Sequence, residues 1–555
     1  MFVMMKKIAN NSFRLFLFIL VAFAPGSFLS ATTGYFFYVQ FANKNSSPYS
    51  LSTPTAYLSP RAIDRRQVLG IAIDSTDLPV NPSYIAQIEN LGIHVYCKSK
   101  WLNGATVILS DTSKMSLIRT LPFVTKVQYT GLRAGALAIQ AKIKTETAVF
   151  NYGSAATQIN QVNGAYLHNA GYTGKGIVIG VMDAGFNSAD VNPAFDSLRL
   201  QNRLLGTKDF AEPTANVYSL DSHGAYVLSI MTGNLSGQFL GVAPHASFWL
   251  IRTEYAPTEY LVETDFWAAG IEFADSVGVD VINSSLGYTQ FDDASMNYTY
   301  ADMNGKVSRA SRAANIASKK GIMVCNSAGN DGGKTWHYIG APADADGIFS
   351  IGATTSTGSP SSFTSYGPSS DGRIKPEISA MGSSTAVVST TGIPTNGSGT
   401  SFSSPLMAGM IACLLQGYKE RNAPRDVESV RKALTLSASL YSSPTAQLGY
   451  GIPNFEYALK YPTLNSLTKI NATNFGITYN SQDKTIHILF LNRENTGTKT
   501  VRVYSLTGIS LLEQQTSESI SVISVKNFST GIYLINVSGN GKNETQKITI
   551  RQDRN

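Results

Sequence analysis

Residues Leu406-Met407-Ala408-Gly409-Met410-Ile411-Ala412-Cys413-Leu414-Leu415 include no charged or amide side chain, so a helix built from them is apolar on every face and belongs inside a core. Just before them stands Gly399-Thr400-Ser401-Phe402-Ser403-Ser404-Pro405, a small, flexible approach that delivers a serine to the start of that helix. Pro405 is expected in the first turn, where a missing N–H costs nothing. Upstream, between about 151 and 464, short apolar runs alternate with helical spacing. Strands are expected at 176–182, 248–251, 279–283, 322–325 and 348–351. Asp221-Ser222-His223-Gly224 opens a helix whose Val227, Ile230 and Met231 face inward. Apolar strands alternating with helices predict a parallel α/β sheet.

The flanks read differently. Tyr35-Phe36-Phe37-Tyr38-Val39-Gln40-Phe41 is rich in strand formers, and 83–91 has helical spacing with Ile85, Ile88 and Leu91 on one side. Strands at 94–96, 105–109 and 124–128 and a helix near 113–120 complete a small α+β domain. Residues 131–150 show little periodicity and are expected to form an exposed linker, where proteolytic nicking is easiest. Beyond 465 helical periodicity vanishes. Short strand-like runs at 485–491, 500–504 and 531–537 predict a small β-sandwich.

At 555 residues the chain is too long for one compact unit. Its 43% hydrophobic and 15% charged residues place it among globular proteins. The net charge of +7 is spread without a Lys/Arg block, which argues for solvated surface and against a nucleic-acid partner. Residues 1–31 have the form of a secretory signal: Lys6, Lys7 and Arg14 precede an apolar run from Leu15 to Ala24, followed by Pro25-Gly26 and small residues near Ser30-Ala31. That run is shorter than the ~20 residues a membrane span needs, and no transmembrane helix is expected. Cys97, Cys325 and Cys413 are an odd count, so disulfides do not hold this fold; Cys325 and Cys413 read as buried, inert thiols.

Cleaving a peptide bond with serine needs a nucleophile, a base of near-neutral pKa, a carboxylate to orient the base and donors for the oxyanion. Ser401 stands at a helix start, beside unsatisfied N–H groups and the positive end of the dipole. His223 is one of six histidines, with a side chain able to shuttle protons near pH 7. Asp183 follows a buried strand, and Asn330 lies in Ser327-Ala328-Gly329-Asn330 after another. Singly, each has an ordinary reading as a helix cap, a surface histidine or a turn residue. Their order along one α/β chain joins them.

Val181-Met182-Asp183-Ala184-Gly185-Phe186, His223-Gly224, Asn283-Ser284-Ser285-Leu286-Gly287, Ser327-Ala328-Gly329-Asn330 and Gly399-Thr400-Ser401-Phe402-Ser403-Ser404-Pro405 together resemble the motifs of subtilisin-like serine proteases. The order Asp, His, Ser is that of the subtilisins, unlike chymotrypsin or the α/β-hydrolases. The resemblance implies Asp183, His223 and Ser401 as triad and Asn330 as oxyanion donor. It also implies that Ser285, Leu286 and Gly287 pair with the backbone of polypeptide substrates as an added strand.

Leu58-Ser59-Pro60-Arg61-Ala62, Asp77-Leu78-Pro79-Val80-Asn81-Pro82, Trp101-Leu102-Asn103 and Leu121-Pro122-Phe123-Val124 resemble the propeptide of secreted bacterial subtilisin-like proteases, implying a folding assistant and inhibitor that is later removed. Ser505-Leu506-Thr507-Gly508, Asn527-Phe528-Ser529-Thr530-Gly531-Ile532-Tyr533-Leu534 and Lys547-Ile548-Thr549-Ile550 resemble the C-terminal sorting domain of type IX secretion cargo, implying that secretion machinery as a partner and export to the exterior or cell surface. The expected fold is thus α/β: a subtilisin-like parallel-sheet catalytic domain, preceded by a small α+β prodomain and followed by a small β-sandwich. The expected organisation is signal peptide 1–31, prodomain 32–130, linker 131–150, catalytic domain 151–464 and sorting domain 465–555.

Departures exist. Ala225 stands where the family usually has threonine, and Phe402-Ser403-Ser404 where Met-Ala-Ala is frequent; neither removes a reacting group. Relatives often bind calcium, and Asp292, Asp293, Asp302 and Asn304 are oxygen ligands in one loop. Their spacing matches no complete calcium loop, so a solvated acidic turn is expected there and no metal ligand is assigned. The competing readings are a catalytically silent surface adhesin and a processing peptidase of narrow specificity.

Overall fold

A computed structural model describes residues 34–133, 151–213, 215–464, 475–480, 484–490, 497–517, 520–539 and 542–550. The expected signal peptide and most of the expected linker lie outside them. At the centre is a seven-stranded sheet in the order Ile378–Met381, Phe349–Thr354, Met323–Ser327, Val281–Ser284, Val178–Asp183, Ser247–Arg252 and Leu204–Asp209, parallel throughout. Alternation along one strand shows why it is covered on both faces. Ile179 and Val181 enter one apolar cluster with the His223–Thr232 and Thr400–Glu420 helices, while Val178 and Met182 enter another with the Glu263–Val277 and Arg309–Lys319 helices. All five strands expected in this region form. The two edge strands escaped the sequence reading: Leu204–Asp209 is half exposed, and Ile378–Met381 has only four residues.

Chain order reverses across this sheet. Val178–Asp183 is the first strand, yet the third, Ser247–Arg252, lies on one side of it and the fourth, Val281–Ser284, on the other. A crevice opens outside the carboxyl ends at such a switch point. Asp183 and Ser284 end the two strands that border it.

The Thr400–Glu420 helix crosses the sheet with every residue from Ser403 to Tyr418 buried. It begins earlier than expected, so Pro405 sits inside the helix rather than in its first turn. An interior proline removes the N–H that would bond the carbonyl four residues back, here that of Ser401. The core clusters enclose Cys325 and Cys413, and burial pushes both thiols well up, leaving them inert as expected.

The N-terminal domain is a four-stranded antiparallel sheet in the order His94–Ser99, Gly104–Leu109, Gly34–Phe41, Val124–Arg133, with Ile85 and Ile88 of the Pro82–Asn90 helix in its core. Its last strand runs on through Gly131, Leu132 and Arg133, into the stretch read as linker. The domain docks on the Glu263–Val277 helix through buried charge. Glu272 accepts from Ser99 Oγ at 2.5 Å, Lys100 N–H at 2.7 Å and Trp101 N–H at 3.1 Å. Asp275 meets Arg65 at 2.6 Å, Arg66 at 2.9 Å and Lys100 at 3.1 Å. Burial opposes the Asp275 carboxylate, but Lys100, Arg65 and Arg66 outweigh it and hold its pKa low.

At the other end, a three-stranded sheet (Phe475–Asn480, Thr485–Phe490, Ile520–Ser524) and a four-stranded sheet (Ser510–Thr516, Lys499–Ser505, Gly531–Gly539, Lys542–Ile550) share one apolar cluster, which includes Ile488, Val503 and Ile535. This is the expected sandwich. Among the described residues no helix is long and apolar enough to cross a membrane.

Removing one partner from a buried ionic cluster leaves the others uncompensated, at a cost of about 3–5 kcal/mol. Asp275→Ala should therefore lower the urea midpoint of the full chain and speed tryptic cleavage within 34–133. Asp293→Ala, at an exposed turn, should change neither.

Candidate active site

Asp183 is the last residue of its strand and fully buried. Its Oδ1 accepts the Ala184 N–H at 2.8 Å and lies 2.8 Å from His223 Nδ1. Its Oδ2 is buried without a hydrogen-bond partner. The approach requires Gly224: a Cβ there would strike the Gly185 carbonyl and come within 2.9 Å of Asp183 Cβ. His223 opens its helix with its own N–H held by Asp221 Oδ1 at 2.7 Å. Burial works against a charged imidazole, but the Asp183 carboxylate and its hydrogen bond prevail and push the His223 pKa up to about 9.

Ser401 is the second residue of the buried helix and 8% exposed. The carbonyl that Pro405 leaves without a helical donor accepts from Ser285 Oγ at 3.0 Å, and Ser401 Oγ in return reaches the Ser285 carbonyl at 3.5 Å. Ser285 is held from behind, its Oγ also receiving Asn283 Nδ2 at 3.2 Å, while Asn283 Oδ1 accepts from Ser404 Oγ at 2.8 Å. The serines of this motif thus tie the helix start to the end of the Val281–Ser284 strand. The neighbouring Phe402 ring stands 6.1 Å from the His223 ring. The Asp183–His223 pair is hydrogen-bonded; the Ser401 hydroxyl is turned to Ser285, not to the imidazole.

Asn330 lies on the exposed turn after the Met323–Ser327 strand. Its Oδ1 accepts both the N–H and the hydroxyl of Thr400, at 2.8 and 2.9 Å, which leaves the Nδ2 donor uncommitted among the described residues. Gly399, at φ +156°, adopts a backbone shape natural only to glycine and passes its backbone beside this amide. Ser285 and Leu286 are buried and Gly287 is exposed. Beyond Ser284 the chain leaves the sheet; the Leu286 carbonyl accepts Asn326 Nδ2 at 3.0 Å, and Tyr288 bridges to Ala341.

The loop weighed for calcium does not fit one ion. Asp293 caps the turn at Ser295, Asp302 caps Thr299, Asn304 Oδ1 accepts the Lys306 N–H, and Asp292 Oδ2 accepts the Glu259 N–H. A different acidic group escaped the sequence reading. Glu254, Glu259 and Glu263 follow the Ser247–Arg252 strand and gather beside the cleft. Burial first, and then repulsion from neighbouring carboxylates, pushes Glu254 up to about 7 and Glu259 up to about 9. Their spacing just past a strand's carboxyl end was the available signal.

Taken together, these features define a doubly covered parallel α/β protein with a polar cleft at the switch point of its sheet. Residues 174–457 match the subtilase family, and the chain belongs to it. Residues 36–147 match the peptidase S8 propeptide domain of Bacteroidota, and residues 480–551 the secretion system C-terminal sorting domain. The protein is accordingly a secreted or cell-surface serine endopeptidase of the subtilisin type. It is 28% identical to a thermostable alkaline protease of Halalkalibacterium halodurans over 289 residues, 52% of this chain and 69% of that one. It is 27% identical to alkaline elastase YaB of Bacillus sp. (strain YaB) over 58% of this chain and 74% of that one. With subtilisin NAT of Bacillus subtilis subsp. natto it shares 29% identity over 47% and 61%, respectively.

Ser285→Ala should leave the Ser401 carbonyl buried and unbonded, costing about 1–3 kcal/mol. Adding Pro405→Ala returns a backbone donor to that carbonyl. The double variant should then lose less stability in urea unfolding than the sum of the two single losses; strict additivity would remove this account of the serine pair.

Proposed function

We propose that Asp183, His223 and Ser401 are the catalytic triad and that Asn330 supplies one oxyanion donor. The observations that carry this reading are the 2.8 Å bond from His223 Nδ1 to a fully buried Asp183 and the 6.1 Å between the rings of His223 and Phe402, the residue next to Ser401. In the proposal, rotation of the Ser401 side chain moves its hydroxyl from the Ser285 carbonyl to His223 Nε2. The hydroxyl oxygen then bonds to the substrate carbonyl carbon as its proton passes to Nε2. Asn330 Nδ2 and the Ser401 N–H hold the tetrahedral oxyanion. Collapse breaks the C–N bond, and the imidazolium returns the proton to the departing amine. Water next attacks the acyl-enzyme, giving a proton to His223, and Ser401 leaves with that proton.

Ser285, Leu286 and Gly287 are proposed to pair with the substrate backbone, since the chain there has left the sheet at the carboxyl edge. The 34–133 domain would hold the precursor inactive. Maturation is proposed to cut within 134–150, between the last strand of that domain and the catalytic fold.

A fluorophosphonate probe should label the processed protein at Ser401 and leave Ser401→Ala untouched; equal labelling of both would sink the assignment. Asn330→Ala should reduce casein turnover by about 10²–10³, the size measured for the equivalent donor in subtilisin.

The His223 value gives a second test. Only the neutral imidazole can accept the serine proton, and the group is protonated below about 9. kcat/KM should therefore rise with pH through about 9. Asp183→Asn, lacking the charge that raises the pKa, should shift this limb toward 6.5 and slow the reaction by about 10⁴.

A further inference from the structure

The loop that joins the Ser247–Arg252 strand to the Glu263–Val277 helix gathers three carboxylates outside the proposed triad. One oxygen from each of Glu254, Glu259 and Glu263 lies within 4.8 Å of the other two. Among the described residues none of the three forms a salt bridge. Glu263 is 1% exposed; its Oε1 accepts the Tyr255 N–H at 3.3 Å, and its Oε2 is buried with no hydrogen-bond partner. Among the described residues the one hydrogen-bond donor to Glu254 is neutral, the Tyr288 hydroxyl at 3.2 Å. The loop is held in this shape by its backbone, for Glu259 N–H donates to Asp292 Oδ2 at 3.1 Å and Asp292 N–H to the Glu259 carbonyl at 2.9 Å. Carboxyl groups kept this close, with one oxygen sealed from water and unpartnered, are matched by no salt bridge among the described residues, although the His223 imidazole acts on Glu254 through space.

We propose that Glu254, Glu259 and Glu263 bind one calcium ion, which completes this loop. The donors are all hard oxygens, with no imidazole or thiol among them to favour zinc or copper. Three oxygens within 4.8 Å of one another lie no more than about 2.8 Å from a common point, so a small closure onto calcium–oxygen bonds of roughly 2.3–2.6 Å lets a single ion touch all three, with water or backbone oxygens completing its shell. Calcium also tolerates the irregular geometry of three carboxylates drawn from a loop and a helix start, where magnesium demands an octahedron. The ion would tie together both ends of a segment that the N-terminal domain also grips. Val262 N–H donates to the Thr130 carbonyl at 2.7 Å, and Gly131 lies so close to the Tyr260 side chain that a Cβ would come within 2.6 Å of it. The site thus steadies the wall on which that strand docks, and it does not depend on the triad assignment.

The test uses the full chain, stripped with chelator and titrated with terbium as a calcium surrogate. Tyrosine-sensitised luminescence is expected, because the Tyr288 hydroxyl adjoins Glu254, and calcium should quench it by displacement. Glu259→Gln and Glu263→Gln should each weaken that affinity by about 10–100-fold. Calcium at ~100-fold above its dissociation constant should raise the Tm of the unaltered chain by about 3–6 °C, and that of either variant far less. In chelator both variants should melt at or above the unaltered chain, since each removes a carboxyl whose ionised form burial and its neighbours oppose. A calcium response kept in full by both variants places the ion elsewhere and overturns the proposal. Variants that melt well below the unaltered chain in chelator overturn it too, since the carboxylates would then be structural without an ion.

Discussion

A helix with no polar face cannot lie on a surface, and the Thr400–Glu420 helix imposes that constraint on everything around it. It is covered by the sheet on one side and by the His223–Thr232 and Phe455–Leu464 helices on others, so its first turn is fixed relative to the strand ends. Its interior proline adds a second constraint. By stripping the Ser401 carbonyl of its helical donor, Pro405 creates a buried acceptor that only a side chain can satisfy, and Ser285 does so. The packing demand of one helix thereby becomes the register between the proposed nucleophile and the strand end beside it.

The sheet supplies the remaining geometry. Because its chain order reverses beside Val178–Asp183, the ends of that strand and of Val281–Ser284 border one crevice, and Asp183 reaches it from a fully buried position. A carboxylate so enclosed acts strongly on its neighbour, which is why His223 is held cationic well above the ordinary imidazole range despite the cost of burial. The N-terminal domain obeys the same electrostatic logic with opposite purpose. Asp275 and Glu272 are matched by cations and N–H donors from the docked domain, so the contact is specific as well as apolar.

Much of this architecture was legible because it follows from local pattern. The central strands, the buried helix, the α+β flank and the β-rich tail all declare themselves through apolar period and turn residues. What escaped shares a cause. The Leu204–Asp209 strand is half exposed at a sheet edge, and the Ile378–Met381 strand has too few residues to establish an alternation. Local pattern places Pro405 in a first turn, since nothing local reveals that the helix begins at Thr400. The aspartates of the 292–304 loop were visible as oxygen donors, but their engagement as turn caps was not. The convergence of Glu254, Glu259 and Glu263 is not legible locally, because carboxylates five and four residues apart across a loop and a helix start have no fixed mutual distance until both ends are anchored.

The sequence by itself determined which side chains could do chemistry, their order along the chain, the kinds of layer that would carry them and the family to which the chain belongs. These are properties of residue type and period, which act over a few neighbouring positions. Tertiary structure alone decided that Asp183 meets His223, forty positions further along the chain, that Ser285 takes the carbonyl Pro405 strips bare, and that three glutamates converge. Hydrogen bonds and Coulomb forces depend on distances of a few ångströms, and those distances are set by how strands are ordered in the sheet and how helices cross it.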